Sequence, residues 1–306
     1  MSDPAMSRTK RPASSVRGAV PRLRDDRELG GRHVILVVLD SLRFDSMAAA
    51  RPRLALRLGP LQRRWSYATW TGPAHYNLLM GLLPHDAGPG SFAAAWHGAE
   101  LSAWGRRLGR EDLGLPALGP ALWLPSALRE RCGYFTQAFV SMPALNPAVP
   151  LAVGFDRYVS MPRHNDVHAI YGALSFPEDR PSFTLINTGE THYPYATAEE
   201  PPGGWPRLPG VHGVFGRLAN GQPLTEAEAP AFFSPPHLRE LKARQVRAAS
   251  AMDDALEHLF DRCPRGAHII LTSDHGELFG EDGFFGHGPI HHEKVLEVPF
   301  VEGLLD

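Results

Sequence analysis

The stretch Leu271–Val301, LTSDHGELFGEDGFFGHGPIHHEKVLEVPFV, decides how this chain is read. It is entered through an apolar run, Ala267-His268-Ile269-Ile270-Leu271, which has the length and composition of a short buried strand. The run stops at Ser273, and Asp274 and His275 follow at once. A hard carboxylate beside an imidazole at the mouth of a buried strand supplies half of a divalent-metal site. Twelve residues after His275, a glycine-rich loop delivers His287.

Working outward, two other segments repeat the form of an apolar run followed by polar groups. His33–Leu39 (HVILVVL) carries six consecutive apolar residues after His33 and ends at Asp40. Such a run predicts a strand buried on both faces, as in a parallel sheet. Ligands of open α/β sheets collect at the carboxyl ends of strands. Asp40 and Asp274 therefore occupy equivalent positions and converge if their strands are neighbours. Phe183–Asn187 (FTLIN) predicts a further strand, followed by Gly189-Glu190-Thr191-His192-Tyr193-Pro194-Tyr195. His192 is there a candidate proton donor, or a ligand of phosphoryl or sulfuryl oxygen.

Between these strands lies Trp70-Thr71-Gly72-Pro73-Ala74-His75, continued by YNLLMGLLPH. Pro73 suits the first turn of a helix. Leu78, Leu79 and Leu82 give the helix an apolar face, and Gly81 and Pro84 end it. Thr71 then sits at or just before the helix N-terminus, where free N–H groups and the positive dipole end attract anions. A hydroxyl there, next to a metal, is available as a nucleophile.

In this order the segments resemble the alkaline phosphatase superfamily, in its sulfatase and phosphoethanolamine-transferase branch. VVLDSLRFD is similar to the first metal-carboxylate motif. YATWTGPAHYNLLMGLLPH is similar to the nucleophile motif, which in sulfatases reads Cys-x-Pro-Ser-Arg and then Leu-Leu-Thr-Gly. NTGETHYPYA resembles the His-x-Pro-Tyr loop, and SDHGELFGEDGFFGHG the Asp-His-Gly-Glu motif with its later histidine. The resemblance runs from about Gly31 to the end. It implies a three-layer α/β/α sandwich with a mostly parallel central sheet. The departures are informative: Thr71 replaces the cysteine, so no formylglycine forms; His75 stands where the family has arginine; and the usual Asp-Asp pair is Asp40-Ser41. These choices resemble the phosphatase, phosphodiesterase and phosphotransferase members more than the sulfatases. Many relatives continue past VPFV with a further subdomain, so substrate closure from that side is expected to be absent or supplied by another chain, as in a homo-oligomer.

The resemblance implies that Asp40, Asp274, His275 and the Thr71 oxygen hold a divalent metal. That mixed donor set suits Zn2+ best and Mn2+ next, with Ca2+ or Mg2+ a poorer match to the imidazole. Thr71 and His192 are the expected catalytic residues, and His287, His75 and Glu190 the expected substrate contacts. A second metal on His192, His287 and Glu190 is an open alternative. The expected reaction is hydrolysis of a phosphate mono- or diester through a phospho-threonine. Phosphoryl-type transfer, sulfate-ester hydrolysis and an inactive binding module are the alternatives. The partner is a small anionic ester, with neither nucleic acid nor membrane.

Composition fits that expectation. The chain has 306 residues, 43% of them hydrophobic, and a net charge of −2, enough for one large α/β domain. No run reaches the eighteen or so apolar residues of a membrane span, and MSDPAMSRTKRPASSVRGAV lacks the apolar core of a secretory signal. The only cysteines, Cys132 and Cys263, read as two reduced thiols, and the cytoplasm is the expected compartment. Residues 1–30 read as a flexible basic tail and 31–306 as the catalytic domain. The Pro/Gly-rich stretch at about 197–236 reads as a lid or insertion.

Other features admit plain structural readings. Ser126–Cys132 and Pro236–Cys263 predict helices and Tyr134–Val140 a strand. The arginine-rich Arg51–Arg64 reads as a solvated helix face or as a rim attracting an anionic substrate. His164 and His168 are four apart and suit an exposed helix, with metal ligation as the sharper reading. His291 and His292 read as surface or supporting residues. Trp65, Tyr67 and Trp70 read as wall and core.

Overall fold

The computed structural model describes residues 31–81, 123–206, 234–288 and 291–306. The expected tail at 1–30, residues 207–233 of the expected lid, and Leu82 and Pro84 lie outside the described residues.

The chain forms strands β1 (Val34–Leu39), β2 (Gln62–Trp65), β3 (Phe135–Val140), β4 (Arg157–Ser160), β5 (Ser182–Thr188), β6 (His268–Thr272), β7 (Leu278–Phe279), β8 (Phe285–Gly286) and β9 (Glu297–Leu304). Its α-helices are α1 (Phe44–Ala50), α2 (Ala55–Leu58), α3 (Thr71–Met80), α4 (Leu124–Cys132), α5 (Val167–Ala173), α6 (Pro235–Arg262) and α7 (Glu293–Leu296). Seven strands make one sheet in the order β2-β9-β6-β1-β5-β3-β4. The five from β6 to β4 are parallel, while β9 pairs antiparallel with both β6 and β2. Apart from the Arg51–Arg64 and His164–His168 segments, the expected strands and helices are present, with ends shifted by a residue or two.

The continuous apolar run of β1 is explained by burial on both faces. Ile35, Val37 and Leu39 pack with Met47 of α1, Ile170 and Tyr171 of α5, and Met252, Leu256 and Leu259 of α6. Leu36 and Val38 point the other way, to a cluster with Leu79 of α3 and Trp123. Alternate residues of one central strand thus serve two cores, which is the three-layer α/β/α sandwich expected from the sequence. Helix α6 spans 28 residues. Gln245 interrupts its apolar stripe, and its amide donates to the Ser41 and Thr191 carbonyls (2.9 and 3.2 Å). A polar residue inside the core thereby fixes two loops at the carboxyl end of the sheet.

Three sequence readings need correction. Arg51–Arg64 is not one helix face: Arg51 caps α1 in the left-handed conformation, α2 has four residues, and Gln62–Trp65 forms the edge strand β2. Arg63 pairs with Glu297 at 3.0 Å and Arg64 lies over Phe300, so both are used by the neighbouring strand. His164 and His168 do not share a helix face, because Asp166 caps α5 and His164 precedes it. Trp65 is exposed on the edge strand rather than part of a core. Cys132 is exposed and Cys263 buried, and both are free.

Candidate metal centre

Register brings the two carboxylates together. Val38 of β1 lies opposite Thr272 of β6. Continuing that pairing by two residues sets Asp40 beside Asp274, just beyond the strand ends. Asp40, Asp274 and His275 each offer one ligand atom within 4.8 Å of the others, and all three are buried. Among the described residues this is the one His, Cys, Asp or Glu group of that kind.

Each ligand is aimed by a neighbour. Asn187, at the end of β5, donates to Asp40 Oδ2 (3.1 Å) and accepts from the Met142 N–H through Oδ1. Asp274 Oδ1 accepts from the backbone N–H groups of Ser41 (3.1 Å) and His275 (2.9 Å). Ser41 has φ of 61°, an uncommon conformation for a residue with a side chain, which turns its N–H onto Asp274. The Ser41 hydroxyl, where the family pattern has a second aspartate, donates to Asp40 (3.2 Å). His275 Nδ1 donates to the Gly276 carbonyl (2.9 Å), leaving Nε2 as the lone-pair atom. That atom lies 3.4 Å from Asp274 Oδ2 and 4.0 Å from Asp40 Oδ1. Gly276 is required at its position because a Cβ there would meet the Lys294 carbonyl at 2.3 Å.

Helix α3 begins at Thr71, with extended Trp70 as its cap. Thr71 Oγ1 lies 3.5 Å from His275 Nε2. His75, one turn on, is fully buried. Its Nδ1 donates to the Thr71 carbonyl at 2.8 Å and lies 3.7 Å from Asp274 Oδ2. His287 and His192 complete one wall, with ring centroids 4.3 Å from His275 to His287 and 5.2 Å from His287 to His192. His192 Nδ1 donates to the Tyr193 carbonyl at 2.9 Å. Ser66 Oγ donates to the Asp274 carbonyl, and Thr69 Oγ1 to the Gly288 carbonyl (2.6 Å), joining the Thr71 loop to the loop carrying His287.

Two buried atoms in this group have no hydrogen-bond partner, Asp274 Oδ2 and His75 Nε2. An unpartnered buried carboxylate oxygen is costly unless something cationic meets it. Burial pushes Asp274 well above the usual carboxylate range, and the Asp40 charge pushes it further. Burial opposes ionisation of Asp40 too. The surrounding histidines, His192 first, and the Asn187 amide outweigh it, so Asp40 lies below its ordinary value. Two crowded carboxylates, a neutral imidazole with its lone pair turned toward them, and an orphaned oxygen fit a divalent cation.

Glu190 does not join the cluster. It is buried, and its Oε1 accepts from the Val167 N–H (2.7 Å), so the carboxyl anchors the start of α5. Burial pushes it up to about 7. The expected second set of His192, His287 and Glu190 is therefore not gathered. Raising the native pKa means that the folded state binds more protons than the unfolded state between about 4.5 and 7. Stability is thus lost as pH rises through that window, by about 3 kcal/mol for a shift of this size. Glu190→Gln is expected to remove that slope, measured as unfolding free energy at pH 5 and pH 8. An unchanged slope would assign it to another group.

Residues that sequence reasoning missed are Asn187, Tyr195 and Glu277. Glu277 was inside a quoted motif and Asn187 closed a quoted strand, a polar residue at the end of a buried run.

No family model matches the chain, and no curated protein matches it. Solved structures do. The soluble domain of lipooligosaccharide phosphoethanolamine transferase A from Neisseria meningitidis matches with a TM-score of 0.57 and 15% identity, over 90% of this chain and 77% of that one. The integral membrane form of that transferase matches with a TM-score of 0.54 and 15% identity, over 96% of this chain and 49% of that one. A 2-O GAG sulfatase matches with a TM-score of 0.55 and 14% identity, over 89% of this chain and 64% of its own. The chain thus spans about half of the membrane transferase and less than two thirds of the sulfatase. The chain therefore shares its fold, the alkaline phosphatase-like fold, with these transferase and sulfatase structures. Among the described residues no helix is long and apolar enough to cross a membrane. The cytoplasmic location expected from composition gains no support: the matches include an integral membrane enzyme and its soluble domain.

Proposed function

We propose that the chain is a metal-dependent enzyme of phosphoryl- or sulfuryl-type esters, and that its reaction is hydrolysis of a phosphate mono- or diester through a covalent phospho-threonine on Thr71. One observation carries this reading: the Thr71 hydroxyl stands at the N-terminus of α3, 3.5 Å from His275 Nε2, against the buried Asp40–Asp274–His275 cluster.

Asp40, Asp274, His275 and Thr71 Oγ1 would hold the ion, with Zn2+ the best match to carboxylate and imidazole donors and Mn2+ the next. A bound divalent ion lowers the pKa of an adjacent hydroxyl and polarises a non-bridging oxygen of the ester. The chain's own residues do the rest. Thr71 attacks in line, and the start of α3 offers its N–H groups and dipole to the transferring group. His75 backs the Thr71 turn. His287 or His192 contacts the equatorial oxygens and protonates the leaving oxygen. Water then releases the group from Thr71. With threonine in place of cysteine at position 71, sulfate esters are the weaker substrates.

A second reading, transfer of the group to an acceptor hydroxyl, is favoured by the likeness to a phosphoethanolamine transferase domain. Metal analysis with a panel of aryl phosphate monoesters, diesters and sulfate esters tests the main reading. Turnover of one phosphate series above the sulfate series is expected. No turnover of any ester, together with no bound metal, would leave a binding module. Product analysis with added alcohols separates hydrolysis from transfer.

A further inference from the structure

We propose that Glu277 is a positioning residue: anchored by Tyr195, its carboxylate orients His287 so that Nε2 serves as the donor to the leaving oxygen. This rests on the functional reading above and selects between the two histidines it leaves open.

The geometry follows from a hairpin. Strands β7 and β8 pair antiparallel, with Leu278 opposite Gly286 and Phe279 opposite Phe285. Extending that register by one residue makes Glu277 and His287 the next facing pair. Their side chains meet, with His287 Nδ1 3.2 Å from Glu277 Oε1. The other oxygen, Oε2, accepts from the Tyr195 hydroxyl. Glu277 and Tyr195 are 2% and 1% exposed, so both oxygens are spoken for in a water-poor setting. Arg43 holds the main chain at this point by donating to the Glu277 carbonyl (3.1 Å). With Nδ1 fixed on the carboxylate, the opposite edge of the His287 ring carries Nε2, and the ring packs on His275 at 4.3 Å. His192 differs: its Nδ1 contacts only the carbonyl of the next residue, a neutral acceptor. A carboxylate behind an imidazole fixes tautomer and orientation and stabilises the cationic ring, and a carbonyl does less.

In the step, the Thr71 oxygen, entering as alkoxide, forms its bond to phosphorus while the bond to the leaving oxygen breaks. The Nε2 proton of the His287 imidazolium passes to that oxygen. His287 remains neutral with Nδ1–H on Glu277 until water attacks the phospho-threonine and returns a proton to Nε2.

Leaving groups provide the test, because an acidic leaving group needs little protonation and an alcohol needs much. Glu277→Gln keeps one acceptor oxygen for His287, turns its amide to donate to the Tyr195 oxygen, and removes the charge. It is expected to lower kcat on alkyl and phenyl esters about 100-fold with KM changed less than threefold. The loss on the 4-nitrophenyl ester of the same series should be less than about tenfold. Tyr195→Phe should show the same ordering at smaller size, and it carries the test if Glu277→Gln fails to fold. Melting temperature and metal content of both variants should match the wild type. Equal losses on all leaving groups would overturn the proposal and make Glu277 a purely structural carboxylate. Full turnover by Thr71→Ala would instead overturn the underlying reading.

Discussion

Thr71→Ala is expected to keep the fold and lose turnover by at least about 10³-fold. The fold is insensitive for local reasons. Thr71 is the first residue of α3, and its hydroxyl makes only the 3.5 Å contact with His275. Alanine is also the better helix former, so melting should change little. Three protein ligands, Asp40, Asp274 and His275, remain for the ion. Chemistry has no such reserve, because the other nearby hydroxyls are committed. Ser66 donates to the Asp274 carbonyl, Thr69 to the Gly288 carbonyl and Ser41 to Asp40. None stands at the start of a helix. Thr71→Ser should retain partial activity. Intact-mass analysis with a slowly released substrate should find the phosphoryl group on Thr71 in the wild type and nowhere in Thr71→Ala. Turnover near the wild-type rate in Thr71→Ala would mean direct attack by water and no covalent intermediate.

How much of this was legible in the sequence follows the kind of force that shapes each part. The apolar run of β1 and the polar residues after β1, β5 and β6 follow from burial and topology, which composition records directly. That is why Asp40 and Asp274 could be paired before their strands were known to be neighbours. The pairing of Glu277 with His287 depends on a hairpin of two-residue strands, too short for any periodicity, and on its register. Glu190 stood in the right loop, yet its Oε1 is taken by the Val167 N–H at the start of α5. Arg51–Arg64 read as a helix because arginine suits a solvated helix. Pairing with β9, whose Glu297 and Phe300 meet Arg63 and Arg64, overrides that propensity. Tertiary partners, rather than local sequence, set these three outcomes.

Asp274→Asn should separate the stability of the metal-free protein from that of the loaded one, in opposite directions. In the wild type without metal, Asp274 is crowded by burial and by the Asp40 charge, and its Oδ2 has no partner. Asparagine keeps the Oδ1 acceptor for the Ser41 and His275 N–H groups. Its amide replaces Oδ2 at 3.4 Å from His275 Nε2, a lone pair able to accept from it. The chelated variant should therefore melt at or above the chelated wild type. Metal should reverse the order. An ion at a hundredfold excess over its Kd adds about 2.7 kcal/mol to the wild type, a rise of roughly 5–10 °C. The variant loses a charged ligand and should gain little. Its turnover should fall with Thr71→Ala, because the hydroxyl is then no longer activated. Melts in EDTA, Zn2+ and Mn2+ read all of this. An equal metal-induced gain in both proteins would remove Asp274 from the metal site. A chelated variant melting well below the chelated wild type would show that Asp274 holds the fold by contacts other than those at Oδ1.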